Sequence, residues 1–156
     1  MQGDATVIMH LNAVLKNEMT ALNQYFLHAR MLEHWGVVKL GAYEYGESID
    51  DETRRHADQR LLFLGGEPRL EPDKLLIGNT VQEVLECDLR LEQAAIPQLR
   101  EAIPYCERVR DFVTRDLFSE ILQSEEEHVD FIETQLELMI KIGTENYIQL
   151  QSQPAG

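Results

Sequence analysis

Apolar residues return every three or four positions along almost the whole chain, and no stretch keeps the strict alternation of a half-buried strand. The spacing predicts four long helices. The first opens at Asp4, a good N-cap, and runs to Trp35 before Gly36 breaks it. The second runs from about Lys39 to Leu64 and stops at Gly65 and Gly66. Thr80-Val-Gln-Glu83 fits a capping box and opens the third. That helix reaches roughly Val109, although Pro97 and Pro104 should kink it or fray its last turns. The fourth spans about Asp111 to Lys141 and ends at Gly143, and a short helix from Thr144 to Gln151 follows.

Between the second and third helices lies GEPRLEPDKLLIGN, with two prolines and two glycines, the only long non-helical stretch. Helices of about 26–31 residues are roughly 40–45 Å long. The connection from Gly65 to Asn79 stretches to about 50 Å. It can therefore travel the full length of a bundle and leave the second and third helices parallel. The other main connections are short and make antiparallel hairpins. The expected fold is all-α, a four-helix bundle with one long crossover and a short C-terminal helix, in one domain over residues 1–156.

Four of the predicted inward stripes carry a carboxylate where a core should be apolar. The first reads Val7, Leu11, Leu15, Glu18, Leu22, Tyr25, Ala29, Leu32. The second, less regular, reads Tyr45, Ile49, Glu52, His56, Phe63. The third reads Leu85, Leu89, Glu92, Ile96, Leu99, and the fourth Leu117, Ile121, Glu125, His128, Ile132, Leu136, Met139. Each intruder lies near the middle of its helix, so a side-by-side bundle gathers them at one level. Four carboxylates cannot share a dry core as unpaired anions, and no Arg or Lys lies on these stripes at that level. Two divalent cations would neutralise them, and mixed carboxylate and imidazole ligands suit iron, with manganese or zinc as substitutes. One such Glu alone would mark a misjudged face, and one such His a satisfied core residue; the coincidence of four carries the argument.

Composition narrows the partners. With 44% apolar residues in 156, the chain can bury a sizeable single core. No apolar run is long enough for a membrane span, and the first ten residues do not read as a secretory signal. A formal charge of −14 argues against a nucleic-acid partner and is compatible with drawing in Fe(II). Cys87 and Cys106 show no metal or redox spacing and suit reduced thiols in a cytoplasm.

The stretches MQGDATVIMHLN, NQYFLHARM, ESID, LFLGG, SEEEHVDFIETQLELM and GTENYIQLQSQ resemble bacterioferritin over almost the whole chain. The resemblance implies a ferritin-like fold, iron storage in a 24-subunit shell, and a non-haem di-iron ferroxidase centre in each subunit, acting on Fe(II) with dioxygen or hydrogen peroxide. Glu18 and Glu92 would be terminal ligands, and Glu125-Glu-Glu-His128 would supply a bridge and an imidazole. Tyr25 resembles the family's tyrosine that gives up an electron; its other reading is a core aromatic with a bonded hydroxyl.

The second helix departs from the family's Glu-x-x-His. Here Glu52-Thr-Arg-Arg-His56 has a separation of four. Counting from ESID puts Asp51 and Arg54 in the ligand places, and counting back from LFLGG puts Asp50 and Thr53 there. Glu52 and His56 are preferred, because positions four apart still share a face. No Met lies between Met31 and Met139, so this helix cannot supply the family's methionine ligand to haem b, and haem is doubtful. Gly46 stands where the family often has an inner-surface His. A shell that includes a second bacterioferritin subunit type, with this chain as a catalytically impaired structural subunit, is the alternative. A rubrerythrin-type peroxidase is disfavoured by the missing Cys-x-x-Cys domain, and a DNA-binding starvation-type shell by the missing basic arm.

Overall fold

The computed structural model describes residues 1–50 and 52–154. Its elements are α1 (Ala5–His34), α2 (Val38–Ile49), α3 (Glu52–Phe63), α4 (Val81–Arg108), α5 (Phe112–Ile142) and α6 (Thr144–Gln151). The predicted caps form. Asp4 Oδ1 accepts from the Thr6 and Val7 amides at 2.8 and 3.1 Å, and the Thr80 hydroxyl accepts from Glu83 N at 3.1 Å. Glu83 reaches back one residue further than a capping box requires, to Asn79 N at 2.9 Å. Pro97 and Pro104 do not end α4. No helix among the described residues is long and apolar enough to cross a membrane.

The expected second helix, Lys39 to Leu64, is two helices. Asp50 leaves the helical region with a ψ of 86°, and α3 starts afresh at Glu52. The run Asp50-Asp51-Glu52-Thr53 explains the break. Short polar side chains compete for backbone hydrogen bonds, and clustered negative charge favours a helix start over an interior.

The crossover is strapped along α1. Asn12 Oδ1 accepts from Arg69 N at 2.9 Å, Thr20 Oγ1 from Asp73 N at 2.8 Å, Gln24 Oε1 from Leu76 N at 2.9 Å and His28 Nε2 from Gly78 N at 3.1 Å. Both sequences ascend together, so the strap runs parallel to α1 and delivers the chain to α1's C-terminal end. There a Cβ on Gly78 would overlap the backbone of Glu83 and Val84, so only glycine fits against the start of α4. Cross-helix pairs at 28/88, 25/92 and 17/98 make α4 antiparallel to α1. The second and third arms of the bundle are therefore parallel, as expected.

Apolar packing is divided. One cluster at α1's N-terminal end includes Leu11, Leu15, Leu61, Leu99, Phe118 and Ile121. Another at the opposite end includes Leu32, Leu40, Val84, Leu85, Ile132 and Tyr147, the last from α6. The buried polar side chains of the next section lie between them.

Candidate metal centre

Glu18, Glu92, Glu125 and His128 converge as their stripes predict. They line one small cavity together with Tyr25 from α1, Glu47 from α2, Asp50 from the break and Thr53 from α3. One ligand atom each of Glu92, Glu125 and His128 lies within 4.8 Å of the others. Glu92 and Glu125 are buried, at 2% and 6% exposure, and Glu125 Oε2 has no hydrogen-bond partner.

Glu52 and His56 are not brought to this cavity. Both are exposed, and His56 lines an outer groove with Arg60, Phe63 and Val113. The stripe Tyr45, Ile49, Glu52, His56, Phe63 is the outward face; Tyr45, Ile49 and Phe63 are 44%, 60% and 52% exposed. The inward face is Leu40, Gly41, Glu44 and Glu47 on α2, then Ala57 and Leu61 on α3 and Leu64 just beyond it. Asp50 and Thr53 hold the cavity positions, which is the count taken back from LFLGG; Asp51, named by the other count, lies outside the described residues. Glu47 could have been found from the spacing of Leu40, Glu44 and Glu47. The exposed apolar residues of the other face outweighed that signal.

The electrostatics are those of a site short of positive charge. Burial, then the Glu92 charge, pushes the Glu18 carboxyl up to about 7. For His128, burial opposes the charged form, but Glu47 and Glu92 outweigh it and hold the imidazolium up to about 10. His128 Nε2 lies 2.6 Å from Glu47 Oε2, whereas Nδ1 stands 3.5 Å from Glu92 Oε1 and is left without a hydrogen bond. Tyr25 donates to Glu92 Oε1 at 2.7 Å and meets the His128 ring edge-on at 6.2 Å. Burial, then the neighbouring carboxylates, raises its phenol well above the ordinary value.

A second buried group lies one helical turn away: Gln24 and His28 on α1, Glu44 on α2 and Asp88 on α4. His28, Glu44 and Asp88 also bring ligand atoms within 4.8 Å of one another, but their hydrogen bonds oppose a metal. Gly78 N donates to His28 Nε2, so the ring proton is on Nδ1, which donates to Asp88 Oδ1 at 2.9 Å. Gln24 donates to the same oxygen at 3.0 Å. No imidazole lone pair is left. Glu44 Oε2 and Asp88 Oδ2 are buried and have no hydrogen-bond partner. Burial, then the Asp88 charge, raises the Glu44 carboxyl well above the ordinary value. Nothing in the stripe pattern marked this group, because Gln24 and His28 flank the Tyr25 stripe and Glu44 was assigned to no face.

The donor set fits divalent iron. Carboxylates from four parts of the bundle and one imidazole nitrogen face a shared cavity, with an unpartnered oxygen and an unpartnered nitrogen among them.

Comparison with known proteins agrees. The Ferritin family, described as a ferritin-like domain, matches residues 8–142. The bacterioferritin of Rhodobacter capsulatus is 44% identical over 158 residues, covering 99% of this chain and 97% of its own. That of Brucella melitensis is 45% identical over 159 residues, covering 99% and 98%. The bacterial ferritin of Pseudomonas aeruginosa is 43% identical over 155 residues, covering 97% and 99%. A bundle with one strapped crossover, a carboxylate-lined cavity at mid-height and full-length relatives at this identity place the chain in the bacterioferritin family of the ferritin-like superfamily.

Proposed function

We propose that this chain stores iron and is a ferroxidase, oxidising Fe(II) to Fe(III) within the subunit and passing it to a mineral inside a hollow shell. The observation that carries the reading is the cavity lined by Glu18, Asp50, Glu92, Glu125 and His128 between two apolar clusters, with Glu92 and Glu125 buried and Asp50 at its exposed edge. Iron bound there would supply the electrons for dioxygen or hydrogen peroxide. The protein's part is to hold the ions and govern protons. Glu18 and Glu92 act as terminal carboxylates, Glu125 offers its free oxygen between two ions, and His128 presents Nδ1 while Glu47 fixes its ring through Nε2. Iron entry displaces the proton from Glu18 and frees His128 of its second one. Tyr25, bonded to Glu92, is placed to give an electron and pass its proton along that 2.7 Å bond.

Assembly into a 24-subunit shell is supported by membership of the family and by apolar side chains left on the outside, among them Phe26, Trp35, Tyr45 and Ile49, which neighbouring subunits would cover. Reduced thiols at Cys87 and Cys106 are in keeping with a cytoplasmic protein. Neither α2 nor α3 contains a methionine, so any haem b in the shell would draw its ligand from a second subunit type.

Adding Fe(II) in air to the metal-free protein tests this reading. A fast ferric absorbance phase that saturates near about two ions per subunit supports it. Slow, unsaturated oxidation favours the second reading, a structural subunit of a mixed shell. The observation behind that alternative is the outward placement of Glu52 and His56.

A further inference from the structure

The two ends of the cavity do not offer the same donors. Next to α5 stand Glu92, Glu125 and the open Nδ1 of His128. Next to α1 and the α2–α3 break, the donors among the described residues are Glu18, Asp50 and the Thr53 hydroxyl, all of them oxygens.

No histidine can fill the gap. The chain has five, and four are committed elsewhere. His10 packs against the Tyr105 ring, His28 is bonded on both nitrogens, His34 lies exposed in the last turn of α1, and His56 faces the outer groove. Glu125 lines the same cavity, 6% exposed with a free Oε2, and is the carboxylate shared between the ions in the reading above.

Resting on the metal-centre reading above, we infer that the two metal positions are chemically unequal: a nitrogen–oxygen position of Glu92, His128 and Glu125, and an all-oxygen position of Glu18, Asp50, Thr53 and the shared Glu125. The first fills before the second. Imidazole suits zinc and iron, whereas carboxylate and hydroxyl oxygens suit manganese-like ions and hold zinc less well. Zinc therefore occupies mainly the first position, and the second is held loosely enough for its ion to leave.

Calorimetric titration of the metal-free assembled protein with Zn²⁺ tests this, with Glu125→Ala as the background for ions bound outside the cavity. The expected result is one tight ion per subunit above that background, with a second at least about tenfold weaker. Thr53→His adds the missing imidazole and should bring the second ion to the affinity of the first. Two equally tight ions in the unaltered protein overturn the inequality, whether or not the Thr53 variant folds. A folded Thr53→His protein that still binds one tight ion overturns the placing of Thr53. Failure of the metal-centre reading looks different: zinc binding that is the same with and without Glu125.

Discussion

Glu18 and His128 pull the metal-free protein in one direction with pH. Glu18 titrates near 7 in the folded state against an ordinary 4.5, so the fold keeps a proton that the unfolded chain releases. Stability therefore falls as pH rises from about 4.5 to about 7, and the penalty is complete above that. His128 titrates near 10 against 6.5, so its stabilisation is full below about 6.5 and is lost as pH rises to about 10. Glu18→Gln removes the first penalty. The metal-free variant should melt above the unaltered protein at pH 8, with the gap closing below about pH 4.5, and it should oxidise Fe(II) more slowly. Equal melting temperatures at pH 8 would show that water, not the protein interior, surrounds Glu18. The trade is a common one at functional sites, where stability is given up for a group the chemistry needs.

At the scale of elements, the break between α2 and α3 decides which side chains face the cavity. Glu47 closes the inward face of α2, and the turn at Asp50 lets Asp50 and Thr53 face inward as well. Glu52→Ala and His56→Ala should then leave the initial rate of iron oxidation within about twofold, while Asp50→Asn slows it by about tenfold or more. Stopped-flow absorbance on the three variants checks this, and the opposite ranking would move the ligands back to Glu52 and His56. The strap belongs to the same scale. Thr20, Gln24 and His28 each hold one crossover amide, and Asp88 in turn fixes Gln24 and His28, so the long connection is pinned to the helices that carry the centre.

Over the whole molecule, two apolar clusters close the bundle at its ends and leave a polar layer across its middle. Such a layer favours unfolding unless protons or cations neutralise it. Metal that binds only the folded state at about 100 times its Kd stabilises by about 2.7 kcal/mol. For a chain of this size that is a rise of roughly 5–10 °C in Tm. Calorimetry with and without a chelator should show the rise and its loss, and Glu125→Ala should show little of either. The formal charge of −14 works in the same sense, concentrating cations near the surface at low ionic strength.

The four-armed bundle, the long crossover, the caps at Asp4 and Thr80, and the convergence of Glu18, Glu92, Glu125 and His128 were legible in the sequence. They depend on local period and on distance along a helix axis, and both are properties of the chain itself. The inward face of the second arm was not legible, because Tyr45, Ile49 and Phe63 make its outer side the more apolar one, and exposure depends on what a helix packs against. Nor was the meeting of Glu44 with Asp88, or the tautomer of His28, since each needs a neighbour that only the crossover and α4 bring within reach. Periodicity can say which residues share a stripe. Which stripe faces the core, and which polar groups meet there, is decided when the helices pack.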